Sequence, residues 1–201
     1  MRTVKYLDDL IDVLSITIDD HNISYNEIQN IYSNLFKKQP ELIIDKKTLG
    51  DKWALSIIKK VDKQYRYRSY VRTVFSCLDG LCNCWMNLVL NVYKQSDKKE
   101  KENAKIEFEK LTNKNKKLSF SENVKYTFRL VGKILTNNTY LIDFEKNHNW
   151  TNFIDSVKIR RRITHPKNKK DFYLSKPNIK TVKEAYDWFT TESYNLINHW
   201  K

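Results

Sequence analysis

Apolar residues recur along the chain at the spacing of helix faces. From Val4 they fall at Leu7, Leu10, Ile11, Leu14 and Ile18, three or four apart, on one side of a 3.6-residue helix. Ser24 and Glu27 stand in the spacing of a capping box ahead of Ile28, Ile31, Tyr32, Leu35 and Phe36, where hydroxyl and carboxylate cover the free amides of a helix start. Pro40 ends that second helix, because its ring pushes the preceding residue out of the α region. A third helical region is predicted from near Asp51 to about Tyr93, with or without an interruption. It carries Trp53, Leu55, Ile57, Ile58, Val61, Val71, Val74, Phe75, Leu78, Leu81, Trp85, Leu88 and Val92. A stripe that long is the expected centre of the core.

Beyond it, Ser96 to Lys117 is mostly charged, with Ile106, Phe108 and Leu111 as apolar anchors. This predicts an exposed helix and a Lys/Asn loop. The next helix is expected over Glu122 to Leu135, capped by Ser121, with a turn at Asn137 and Asn138. Another is expected over Trp150 to Thr164, burying Phe153, Ile154 and Val157 and stopping at His165-Pro166. Thr181 and Glu184 read as a second capping box, opening a last helix whose inner face holds Ala185, Trp188, Phe189, Leu196 and Ile197.

Composition sharpens this picture. The 201 residues include only three Gly and three Pro, too few for the tight turns of a sheet fold, so the fold class is all-α. The length suffices for one sizeable core with an extension. Asp8, Asp9, Asp12, Asp19 and Asp20 are unlike the basic start of a signal peptide. The apolar stretch Trp85 to Val92 is interrupted by Asn87 and Asn91 and is too short to span a bilayer. The expectation is a cytoplasmic protein with no membrane partner. Cys77, Cys82 and Cys84 lack the spacing of paired zinc knuckles and read as core thiols. No metal site or cofactor is expected.

The net charge is +13, which speaks about partners rather than fold. Nucleic acid, an anionic membrane surface or an acidic protein could each supply the countercharge. Two segments concentrate it. Gln64 to Arg72 interleaves Tyr65, Tyr67 and Tyr70 with Arg66, Arg68 and Arg72. Tyrosines can stack on bases while arginines meet phosphates, although the same tyrosines could equally pack in a bundle. The second segment runs from Lys158 to Lys170 and includes Arg160, Arg161, Arg162, His165, Lys167, Lys169 and Lys170.

Pro166 gives that second segment its chemistry. It forces His165 out of the helix at the last turn, freeing its ring toward Arg160, which regular helical spacing would set about 140° away. Histidine titrates near neutrality and can take a proton from a hydroxyl. Arginine is always charged and matches phosphate oxygens with a planar fork. Together they suit attack by an RNA 2′-hydroxyl on its own phosphate. Basic residues at a helix C-terminus also satisfy the helix dipole, so spacing alone leaves both a solvated cap and a catalytic pair open.

The run Ile159-Arg160-Arg161-Arg162-Ile163-Thr164-His165-Pro166 resembles the signature of the HEPN family: an Arg, a polar residue, a short gap, and a His often followed by Pro. Arg161 stands where that family more often has Asn, Asp or His. The stretch Arg72 to Asn83 resembles the HEPN helix bearing an acidic residue that faces the motif, with Asp79 in that place. The resemblance covers residues 51–201 and implies an HEPN-like helical bundle. Residues 1–50 would be an N-terminal helical extension packing on it.

The resemblance further implies a metal-independent endoribonuclease of toxin and antiphage-defence systems, with two motifs forming one composite cleft in a homodimer. Arg160 would hold phosphate, His165 would transfer protons, and Asp79 would orient Arg160 or bridge within the cleft. Arg161, Arg162, Lys167, Arg66, Arg68 and Arg72 would contact RNA. Lys167 occupies the position at which some HEPN toxins carry a Tyr modified by a partner enzyme. Size and lone-domain layout resemble abortive-infection proteins of the AbiV type, for which a phage-encoded product would be the activator. The competing expectation is a non-catalytic basic adaptor that binds RNA or an acidic protein.

Overall fold

A computed structural model describes residues 48–115 and 117–200, with side chains from Lys63 onward. The two helices expected before Pro40, the Ser24/Glu27 capping box and the packing of Trp53 to Val61 lie outside those residues. The described part contains five α-helices, one 3₁₀ turn and no strand, so the all-α expectation holds.

Helix α1 (Thr48–Gln95) runs without interruption for 48 residues. No proline enters it, and its lone interior glycine, Gly80, sits on an exposed face. Its buried stripe includes Val71, Val74, Phe75, Leu78, Leu81, Trp85 and Leu88, which recur at the spacing of one helix face and so look to one side. By length and composition, Lys63–Gln95 could cross a membrane, unlike the shorter stretch weighed from sequence. Here its apolar stripe is occupied by the other helices of the bundle.

Helix α2 (Lys98–Thr112) opens on a reciprocal capping box between Asp97 and Glu100. Two of its expected anchors pack against the core, Phe108 and Leu111. Ile106 instead is 66% exposed. Ala104 and Glu107 take the inward positions, and Glu107 is held by Lys133 Nζ at 2.8 Å.

Helix α3 (Phe120–Ile134) is capped by Ser119, not Ser121. The Ser119 hydroxyl accepts the Glu122 amide, and Glu122 returns the bond to the Ser119 amide. Ser119 wins because its partner Glu122 stands three residues on, as the box requires. The chain then turns through Asn137 and Asn138, both at positive φ (49° and 62°), a conformation that asparagine tolerates. The turn returns so closely over α3 that a Cβ on Gly132 would lie 2.7 Å from the Tyr140 carbonyl.

Helix α4 (His148–Thr164) is capped by Asn147. Its fully buried residues are Phe153, Ser156, Ile159 and Ile163, while Ile154 and Val157 flank them half-buried. Helix α5 (Lys176–Asn198) begins earlier than Thr181 suggested. Its cap is Ser175, paired reciprocally with Asn178. Pro177 is no obstacle there, since the first-turn amide it lacks would be unpaired anyway. Thr181 bonds back to the Pro177 carbonyl, and Glu184 approaches Lys180. Ala185, Trp188, Phe189 and Leu196 are buried as expected, and Ile197 is half-buried.

Helix α4 packs along α5, α2 along α3, and α1 touches all four. Between them lies an aromatic interior in which Phe128, Trp150, Phe153, Trp188 and Phe189 meet with ring centroids 4.9–6.4 Å apart. Offset and edge contacts of this kind add to the burial of the rings themselves. The Trp85 indole N–H, deep on α1, donates to Ser193 Oγ on α5 at 3.1 Å.

Candidate functional site

Arg160 lies on the penultimate turn of α4, on the flank of the buried Ile159–Ile163 edge. That position turns its side chain toward α1. Asp79 receives it there: Nη2 donates to Oδ2 at 2.6 Å and Nη1 to Oδ1 at 3.3 Å. The guanidinium carbon also stands 5.0 Å from the centroid of Phe75 and 5.4 Å from that of Phe120. A two-pronged ion pair and two rings fix the fork in place. The arginine side chain remains 31% exposed and the aspartate 37%. Two of the five guanidinium N–H groups meet Asp79, which leaves others for a ligand.

His165 caps α4. Its backbone N–H donates to the Arg161 carbonyl at 2.9 Å, and at φ −131°, ψ 62° its backbone has left the helix. This is the departure expected before proline. The residue is exposed. Among the described residues, no hydrogen bond or ion pair links its imidazole to Arg160 or to Asp79. The fold therefore joins two of the three predicted catalytic residues directly and places the third one turn further along α4.

Past His165 the chain forms a strap, residues 165–175, that returns to α5. The 3₁₀ turn Lys169–Phe172 is its middle, capped reciprocally by Asn168 and Asp171. Asp171 also accepts the Lys167 amide at 2.7 Å. The strap is tied to α1 by Gln64, whose Nε2 donates to the Leu174 carbonyl at 2.9 Å and whose Oε1 accepts the Leu174 amide at 2.8 Å. Arg68 adds a bond to the Phe172 carbonyl at 3.2 Å and stands 5.8 Å over its ring.

The predicted RNA-contacting residues divide accordingly. Arg68 is engaged with the strap. Arg162 is too, donating to the Tyr173 carbonyl at 3.2 Å and to Asn178 Oδ1 at 3.3 Å. Arg66 is half-buried, whereas Arg72, Arg161 and Lys167 are exposed, as are Lys169 and Lys170. Tyr67 and Tyr70 are core residues, each 2% exposed, which settles those two in favour of packing; Tyr65 faces solvent. Sequence reading missed Phe75, Phe120, Gln64, Asp171 and Asn178 as parts of this region. The Asn168-x-x-Asp171 spacing was a visible signal for one of them. Gln64 had none, because its partner lies 110 residues away.

The thiols do not form a second centre. Cys82 is buried, Cys77 and Cys84 are half-buried, and none of the three is in a disulfide. Burial pushes the Cys82 thiol up to about 12. Among the described residues, no three His, Cys, Asp or Glu side chains gather closely enough to hold a metal ion. A shallow pocket of about 260 Å³ lies at the opposite end of α4, lined by Tyr140, Asp143, Lys146, Asn147 and Glu192 among others. In it the Tyr140 hydroxyl donates to Glu192 and accepts from Asn195 at 2.9 Å. Burial first and the Glu192 bond second push that phenol up to about 12.

No family model, curated protein or solved structure matches the chain.

Proposed function

We propose that this protein is a metal-independent endoribonuclease of the HEPN type, acting as a toxin-like effector in antiphage defence. The observation that supports the reading most is the Arg160–Asp79 pair. An arginine on the last turns before a His-Pro helix stop is held by a carboxylate 81 residues away, between two aromatic rings. A plain solvated helix end would leave that guanidinium mobile.

In this reading Arg160 binds a non-bridging phosphate oxygen through the N–H groups that Asp79 leaves free. His165 removes the proton of an RNA 2′-hydroxyl, whose oxygen attacks the adjacent phosphorus. The new O2′–P bond forms as the P–O5′ bond breaks. The products are a 2′,3′-cyclic phosphate and a free 5′-hydroxyl, the leaving oxygen taking up a proton. A second copy in a homodimer would supply the other half of the cleft and a second imidazole for that protonation. A phage-encoded activator and a cytoplasmic setting belong to the same proposal.

The test is cleavage of labelled RNA by purified wild type, His165→Ala and Arg160→Ala. A general acid–base group contributes about 10²–10⁴-fold and a donor to a developing anion about 10²–10³-fold, so each variant should lose at least about 100-fold while keeping its helical circular dichroism. Product ends should carry the cyclic phosphate. Undiminished cutting by folded His165→Ala would end the assignment of that residue.

A basic adaptor without catalysis is the second reading. It is favoured by the His165 imidazole, which has no orienting bond among the described residues. It expects neutralising Arg66, Arg68 and Lys169 to abolish binding and His165→Ala to do little.

A further inference from the structure

The strap carries two features that the cleavage chemistry does not use. Its lysines, Lys167, Lys169 and Lys170, are all exposed. Beside them stand exposed rings: Phe172 at 40%, Tyr173 at 53% and, on α1, Tyr65 at 62%. Tyr65 belongs with them because it lies three residues before Arg68, on the same helix face, and Arg68 grips Phe172. Large rings are expensive to leave in water when a core is available, and among the described residues most other aromatic rings are buried. Their backbone is also held in advance, by the paired Gln64–Leu174 bonds and by Arg162 on Tyr173.

From these observations we infer that the strap and the facing turn of α1 form a stacking platform for unpaired bases of an RNA strand that enters the Arg160–His165 site. This rests on the ribonuclease reading and adds to it the surface of this chain on which the bases of the strand would lie. Flat apolar rings set among ammonium groups suit a ligand with alternating π-faces and phosphates, which a single strand offers and a duplex hides. A protein partner with acidic side chains would use the lysines but would not need three rings. Position supports the same direction. α4 runs from Arg160, level with Asp79, toward the α1 segment that anchors the strap, and the exposed Arg72 lies between those two points on α1. From Asp79 back to Tyr65 is fourteen residues, about 21 Å of helix, room for several nucleotides.

The experiment measures binding apart from cutting. Full-length protein carrying His165→Ala is titrated against a labelled, unstructured short RNA and against a duplex of equal length, at one fixed salt concentration. Adding Tyr65→Ala and Phe172→Ala should weaken single-strand binding about 10-fold or more, since each stacked base contributes about that factor. Duplex binding should change less than about 2-fold. Tyr65→Phe with Phe172→Tyr should restore the single-strand affinity, which separates stacking from damage to the strap. Equal weakening on both RNAs, or on neither, overturns the platform. So does a failure of the restoring pair in a protein whose melting is unchanged. Discrimination without any cleavage by wild type would leave the platform standing and remove the nuclease instead.

Discussion

Glu107 and Asp79 each bridge two helices of this bundle through a cation, in unlike surroundings. Glu107 ties α2 to α3 through Lys133, with only 7% of its side chain exposed, and Lys133 also donates to the Asn103 carbonyl at 3.0 Å. Asp79 ties α1 to α4 through Arg160, and both side chains keep about a third of their surface in solvent. The first pair is nearly sealed: Lys133 spends two of its three N–H donors on Glu107 and the Asn103 carbonyl, and Glu107 keeps little of its surface in water. The second is open on one side and closed by aromatic rings on the other. Geometry that could fasten a fold just as well underneath the surface is here displayed at it, beside exposed arginines and lysines. A half-open, pre-oriented guanidinium is poor economy for stability and good preparation for an anion.

The difference can be broken experimentally. Arg160→Ala should reduce RNA cleavage by about 10²–10³-fold, the usual loss when one donor to a developing anion is removed. It should cost only about 1 kcal/mol of stability, because solvent screens a partly exposed pair, and lower the melting temperature by a few degrees. Lys133→Ala should do the reverse. Stranding Glu107 without its countercharge should cost about 3 kcal/mol, roughly 6–12 °C in melting temperature, with cleavage per folded molecule unchanged. If thermal scans ranked the two variants the other way round, the contrast between a sealed and an open pair would be lost.

Neutral bonds give a smaller step. Trp85→Phe keeps most of the ring but removes the bond to Ser193, leaving a buried hydroxyl short of a partner. The expected loss is about 1–2 kcal/mol in chemical denaturation. The least visible effect is at Cys82. Its thiol is pushed up by burial from 9.0 to about 12, so the folded state holds that proton longer than the unfolded chain. The stabilising contribution is complete below about pH 9 and fades as pH rises toward about 12. Peptide mapping after brief alkylation at pH 8 should find Cys82 the least modified of the three cysteines, and Cys82→Ala should flatten the alkaline decline in stability.

What could be read before folding was whatever is encoded locally. Helix faces follow a short period, so the stripe from Val71 to Leu88 and the stop at His165-Pro166 were legible. Caps were harder, because several Ser and Thr residues compete within two turns. Ser119 and Ser175 prevailed over Ser121 and Thr181, the latter because proline is accepted in a first turn. Ile106 misled for a different reason. A large apolar residue need not face inward when Ala104 and Glu107 already occupy the side that meets α3. Asp79 could be singled out only through a resemblance, since nothing within a few residues of it announces a partner 81 positions later. Gln64 was out of reach altogether, being a polar residue in a basic, aromatic segment whose significance arises from the fold.

That glutamine has one more implication. Its amide imitates a neighbouring strand, offering a donor and an acceptor in register with the C=O and N–H of one residue, Leu174. Hydrolysis of this side chain during chemical ageing, with water taken up and ammonia released, would exchange the donor for an oxygen. Two lone-pair-bearing atoms would then oppose each other across 2.9 Å, and a single-atom change, invisible to sequencing by mass at low resolution, would unlatch the segment that follows His165.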